Sequence, residues 1–250
     1  MTPPVLWQYN FSNFNEKARW ALDFKGIPHL RRSLLPAGPR AMLFSLRGTL
    51  PVLDLDSERV VDSTRIIETL ERRYPEPPLY PEDTAERHRA LGLEDFFDEE
   101  AGHELRRVAF YELRDNPDYV SALLTTGRGP RTRRFFRAFV SLPGAMGYAR
   151  RRYRIYPADA EEGHAKVAAA LDRIMAELQP SGYLVDSGFS VADLTAASLL
   201  FPLARPAELQ YQYPEPPEWG RMEPLARHPA VDWIREIYRR HRGSSKEVAA

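Results

Sequence analysis

Residues 50–61 read LPVLDLDSERVV, and this stretch decides how the first part of the chain is understood. Pro51 to Leu55 follow the period of two that marks a strand, Ser57-Glu58 offers a turn, and Val60-Val61 begins a returning strand. The stretch therefore predicts an antiparallel hairpin. Downstream a helix opens at Ser63, which reads as its N-cap, with Ile66, Ile67, Leu70 and Tyr74 on one face. Upstream, Val5-Leu6-Trp7 reads as a strand, and Ser12 stands where a helix N-cap belongs. Phe14, Ala18, Ala21 and Leu22 follow at helical spacing, and Gly26 supplies the stop. A strand near His29–Ser33 and a weakly specified helix between Arg40 and Leu46 complete the order β-α-β, α, β-β-α. That order predicts an open mixed sheet covered by helices.

Pro75-Glu-Pro-Pro-Leu-Tyr-Pro81 is a stiff linker, and the texture after it is helical. The expected organisation is α/β plus all-α: a first domain over 1–81, a linker at about 75–84 and a helical domain over 85–250. Ala90, Leu93, Phe97, Ala101, Leu105 and Val108 mark one long amphipathic helix, and Val167, Leu171, Ile174 and Leu178 mark another. Ser190-Val-Ala-Asp193 forms a capping box before an apolar helix through Leu200, the expected core of this domain. Trp233 and Ile237 belong to a last helix closed by Gly243. Gln210–Gly220, rich in Pro, Glu and Tyr, reads as an insertion loop on the surface, near 205–222.

Lys plus Arg equals Asp plus Glu at 35 each, so no global charge draws the chain to nucleic acid or an anionic membrane. Without cysteine there is no disulfide, thiolate metal site or cysteine nucleophile. The start lacks the pattern of a signal peptide, and the longest apolar run, Ala196–Leu203, is short of a membrane span. A soluble cytoplasmic protein with no nucleic-acid or membrane partner is expected. Glu100-Ala-Gly-His103 and Glu161-Glu-Gly-His164 share the E-x-x-H spacing of di-iron proteins, but such short matches favour ordinary helix-surface residues over a metal site. Asp95, Asp98, Glu99 and Glu100 read as a solvated face pairing with Arg106 and Arg107. The arginines of 131–137 and 150–154, with Phe135, Phe136 and Tyr153 between them, read as packing plus solvated charge.

Three segments together resemble the glutathione transferase family. Ser12-Asn-Phe-Asn-Glu-Lys-Ala-Arg19, followed by Lys25-Gly26-Ile27, is similar to its active-site helix. Gly48-Thr49-Leu50-Pro51-Val52-Leu53 is similar to its cis-proline turn. Val61-Asp62-Ser63-Thr64, with Leu70-Glu71 and Tyr74-Pro75, resembles the motif that opens its next helix, and the box at Ser190 resembles one in its helical domain. The resemblance implies a thioredoxin-like first domain that binds glutathione, followed by an all-helical domain, in a homodimer.

By that resemblance Ser12 is the catalytic hydroxyl, and Tyr9, at the end of the first strand, is a second candidate. Asn13, Phe14, Thr49, Leu50, Pro51, Asp62, Ser63 and Thr64 are the residues implied to hold glutathione. A helix N-terminus favours an anion, and a hydroxyl donating to sulfur stabilises thiolate over thiol. A small hydrophobic electrophile is expected between the domains, walled by Phe14 and by the long helix around His103, Arg107 and Tyr111. Asn13, Asn15 and Ser45-Leu46 depart from the family pattern. The alternative is a non-catalytic binding or scaffold protein of the same fold.

Overall fold

The computed structural model describes residues 2–36, 50–215 and 220–249. Strands β1 (Val5–Gln8), β2 (Leu30–Ser33), β3 (Val52–Leu55) and β4 (Glu58–Val61) form one sheet in the order β2-β1-β3-β4. β1 runs parallel to β2, with Val5 beside Leu30, and antiparallel to β3, with Leu6 opposite Leu53. The parallel pair needs a crossover, which α1 (Asn13–Phe24) supplies. β3 and β4 form the expected hairpin, but its turn is Asp56-Ser57. Glu58 already pairs with Leu55, and Asp56 takes the left-handed φ of 54° that an aspartate tolerates. α2 (Ser63–Arg73) follows the hairpin. The helix expected between Arg40 and Leu46 lies outside the described residues.

The second half contains α3 (Thr84–Phe96), a π-helix (Phe97–Gly102), α4 (His103–Glu112), α5 (Pro117–Leu124), α6 (Pro130–Val140) and α7 (Pro143–Tyr153). After these come α8 (Pro157–Glu177), α9 (Val191–Ala204), the short α10 (Glu223–Ala226) and α11 (Pro229–His241). The single long helix expected across Ala90–Val108 is thus broken by π winding. Leu93, Phe97, Ala101 and Leu105 are all buried and recur every four residues. Three such steps would drift roughly 120° around a regular helix, and the wider π turn keeps these side chains on one face.

The capping box forms as read. Asp193 accepts the N–H groups of Ser190 and Leu184, each at 2.9 Å, and Ser190 Oγ accepts that of Ala192. α9 is buried along nearly its whole length and packs against α1, which is itself buried from Asn13 to Asp23. The linker is held from α1. Lys25 Nζ donates to the carbonyls of Tyr74 and Pro77 at 2.7 and 3.0 Å and pairs with Glu71, whose carboxylate accepts Leu79 N–H.

In the acidic run on α3 and the π-helix, Asp95 and Glu99 are exposed as expected of a solvated face, but Asp98 turns to a buried lysine. Lys17 Nζ lies 2.9 Å from the carboxylates of both Glu94 and Asp98, and donates to Thr64 Oγ1 at 2.8 Å. Asp98 therefore faces the first domain, because the buried ammonium has no water to pair with. Lys17→Met would leave two carboxylates facing each other inside the protein. Its unfolding free energy in urea should fall by about 3–5 kcal/mol, and a loss near zero would mean that water reaches the pair.

Candidate active site

β1 ends at Gln8, and the chain turns through Tyr9 to Ser12 before entering α1. Asn15 braces this turn. Its Oδ1 accepts Tyr9 N–H at 3.1 Å, and its Nδ2 donates to the Leu50 carbonyl at 3.2 Å. The end of β1 is thereby tied to the Leu50-Pro51 peptide, which is cis. Ser12 is the N-cap of α1, with φ −81° and ψ 132°, yet its side chain makes no capping hydrogen bond. Asn13 turns inward instead. Its Nδ2 donates to the carbonyls of Gly102 and Leu199 at 3.2 and 3.0 Å, which bolts the two halves of the molecule together.

The start of α2 forms the other side. Asp62, not Ser63, is the N-cap, because its carboxylate accepts the N–H groups of Thr64 and Arg65. Asp62 takes φ 88°, a left-handed conformation that non-glycine residues adopt rarely and that collects at binding sites. Ser63 becomes the first helical residue. The residue is 1% exposed, and among the described residues its hydroxyl has no hydrogen-bond partner. Thr64 donates to Asp98 at 2.9 Å, so its hydroxyl belongs to the Lys17 cluster. Thr49 lies outside the described residues.

Tyr9 stacks on Phe11 with ring centroids 5.6 Å apart. Burial, aided by the nearby Tyr153 and Tyr148, pushes its hydroxyl up to about 12, so it stays a phenol at neutral pH.

Between the two halves opens a cleft of about 790 Å³, part of it open to solvent. It is lined by Phe11 and Ser12 on one side, Arg106 and Phe110 of α4 on another, and Phe201 and Tyr213 at the back. Phe14 and His103 meet, with centroids 4.6 Å apart, but neither is among the residues that line the cleft, contrary to the expected wall. The rest of the expected wall is one residue out of phase. Arg106 and Phe110 face the cleft, whereas Arg107 pairs with Glu104 at 2.5 Å. A helix face extrapolated across the π-helix inherits that error, since the wide turn rotates everything after it.

Arg106 Nη2 lies 3.0 Å from His103 Nδ1, and its guanidinium sits over the rings of Tyr153 and Phe14 at 5.1 and 5.9 Å. Burial, followed by the charge of Arg106, drives His103 down to about 4, so the imidazole is neutral and Nδ1 accepts. The two E-x-x-H motifs do not converge. Glu100 pairs with Lys166, Glu161 with Arg221, and His164 faces Glu112.

Within the Gln210–Gly220 stretch, residues 210–215 form more than a surface loop. Gln8 donates to the Tyr211 hydroxyl at 2.7 Å, Tyr213 donates to the Asn10 carbonyl at 2.8 Å, and Gln210 donates to Asp23. Tyrosines bury their rings readily when the hydroxyl finds such a partner, and here they strap the insertion across the end of β1. The sequence signal was present in the two tyrosines, but not their partners.

Residues 6–78 match the family model for the glutathione S-transferase N-terminal domain, and residues 141–216 match that for its C-terminal domain. The chain belongs to the glutathione S-transferase family. It is 31% identical over 99 residues to a maleylpyruvate isomerase from Ralstonia sp., covering 34% of this chain and 43% of that protein. The chain thus spans less than half the length of that curated relative. A solved β-etherase from Sphingobium sp. strain SYK-6 has the same fold, with a TM-score of 0.67 and 21% identity over 95% of each chain. So does a glutathione S-transferase from Methylobacterium radiotolerans in complex with glutathione sulfonate. Its TM-score is 0.63 at 18% identity, covering 100% of this chain and 99% of that one.

Replacing Tyr211 and Tyr213 together by phenylalanine removes both hydroxyl contacts of the strap. Stability should fall by about 1–3 kcal/mol, and limited proteolysis should cut within 205–222 sooner than in the parent.

Proposed function

We propose that this chain binds glutathione and directs its thiolate at a small hydrophobic electrophile held in the cleft. The observation that carries the reading is Ser63, a buried hydroxyl at the N-terminus of α2 without a partner among the described residues. Buried polar groups are nearly always paired, so an orphan at an anion-favouring position speaks for a ligand carboxylate. The γ-glutamyl carboxylate of glutathione meets Ser63 and the N–H groups beside it, and Asp62 meets the ammonium group. Leu50 offers its N–H and the second lone pair of its carbonyl to the peptide part, as a strand would.

Ser12 supplies the chemistry in this reading. Its uncommitted hydroxyl donates to the sulfur, which favours loss of the thiol proton to solvent and leaves a thiolate aimed at the cleft. Conjugation, isomerisation and ether cleavage all begin from that thiolate. The names of the similar proteins, an isomerase and a β-etherase, support keeping the last two beside the first. Residues 1–81 hold the thiol and 85–250 supply most of the electrophile's wall. Family likeness supports a cytoplasmic homodimer with a role in detoxification. A non-catalytic binding protein is the second reading, favoured by Asn13 and Asn15, whose side chains are given wholly to structural hydrogen bonds.

Ser63→Ala separates a ligand contact from a structural one. With no protein bond to lose, unfolding stability should stay within about 0.5 kcal/mol. Calorimetry should show glutathione binding weakened by about ten-fold or more, and unchanged affinity would remove the site. Ser12→Ala should raise the pKa of bound thiol, read from thiolate absorbance, and lower turnover at least about ten-fold. Tyr9→Phe should leave both quantities near the parent values. The reverse pattern would assign the catalytic hydroxyl to Tyr9, and full turnover in both variants would favour the binding protein.

A further inference from the structure

We infer that the cleft is built for an electrophile that joins an apolar body to an anionic group, and that Arg106 receives the anion. This rests on the glutathione reading above, because it concerns the second ligand of the same site.

Arg106 lines a cleft whose other walls include Phe110, Phe201 and Tyr213, with Ser12 at one side and no aspartate or glutamate among the lining residues. Among the described residues Arg106 forms no ion pair. Its partners are the neutral His103 ring and the faces of Tyr153 and Phe14. Glu104, two residues before it, is held by Arg107 at 2.5 Å. A half-buried guanidinium in an apolar wall without a carboxylate is costly, because its charge has lost part of its water and gained only rings and one imidazole nitrogen. Burial accordingly pulls Arg106 below the usual arginine range, with Arg152 and Arg107 adding repulsion. A carboxylate or similar anion entering the cleft reverses that cost and takes the forked donor geometry of arginine. The second arginine of the wall, Arg205, already pairs with Glu215 at 2.6 Å, so it is Arg106 that awaits a counter-charge.

A separate observation points to the same ligand class. Between Asp118 and Asp159 the sequence holds nine arginines and no aspartate or glutamate, in a chain whose net charge is zero; Arg137 and Arg154 pair with those two flanking aspartates, which leaves seven without an ion pair among the described residues. This acid-free segment contributes Tyr119 and Leu123 to the cleft, and Tyr153 against Arg106. The balanced total therefore hides a one-sided charge beside the cleft, which draws anions inward and is screened by salt.

The test compares three probes by calorimetry: reduced glutathione, its S-(2,4-dinitrophenyl) conjugate, whose ring is neutral, and the same conjugate with one added ring carboxylate. Binding of a conjugate requires no turnover. The parent protein should bind the carboxylated conjugate about ten-fold more tightly than the neutral one, with the preference shrinking as salt rises. Arg106→Gln should abolish the preference, and Arg106→Lys should keep part of it, with glutathione itself reporting whether the thiol site is intact. Equal affinity of the parent for both conjugates, or a preference that survives in Arg106→Gln, would overturn the assignment while leaving the glutathione site standing. No binding of glutathione by the parent would overturn both.

Discussion

Burial of α1 on all sides is the constraint on which the rest of the molecule depends. The helix lies between the sheet and α9, so Glu16, Lys17, Arg19 and Asp23 are cut off from water and each must find a partner inside. Arg19 pairs with Glu16 at 2.8 Å, Arg242 bridges Glu16 and Asp23 at 2.5 and 3.0 Å, and Asp23 also accepts from Arg31. Lys17 collects Glu94, Asp98 and Thr64 on the opposite side. Burial works against the charge of Glu16, but Arg242 and Arg19 outweigh it and hold the carboxyl below its usual range. These pairs explain why the chain beyond α11 folds back. Asp23 also accepts Lys246 N–H, and Val248 N–H reaches the His29 carbonyl beside β2.

A helix fixed this firmly gives the site its geometry. Asn13 and Asn15, on the first turn of α1, hold the second domain and the Leu50-Pro51 peptide, so Ser12 is positioned by bonds on both sides of it. Where nearly every buried polar group is paired, the exceptions carry information. Thr195 Oγ1, Tyr238 Oη, Tyr80 Oη, Arg107 Nε and Arg242 Nη2 are also without a partner among the described residues, none of them at a helix N-terminus. Ser63 Oγ is an orphan at a helix N-terminus beside a strained Asp62, and Arg106 is a cation without an anion in an apolar wall. The first supports the thiol ligand and the second the character of its reaction partner.

The errors of the sequence reading share one scale. Ser63 was expected as the cap and Asp62 is; Ser57-Glu58 was expected as the turn and Asp56-Ser57 is; Arg107 was expected in the wall and Arg106 is. A period of 2 or 3.6 locates an element and its apolar face, but a shift of one residue depends on dihedrals and on which neighbour arrives. The π-helix is an instructive case. The four-residue recurrence of Leu93, Phe97, Ala101 and Leu105 was visible, yet it also suits an ordinary amphipathic helix until the packing against α9 is known.

By itself the sequence determined the hairpin at 52–61, the strand–helix–strand unit before it, the capping box at Ser190 and the family, because each rests on local periodicity or on residues adjacent in the chain. Only the tertiary structure decided that Asp98 serves Lys17, that Tyr211 and Tyr213 strap the end of β1, that Arg242 closes the charge network of α1, and that Arg106 is left without a counter-ion. The physical reason is that charge pairing and burial are properties of two surfaces meeting. A lysine, a tyrosine or an arginine looks the same in sequence whether water or another element stands in front of it.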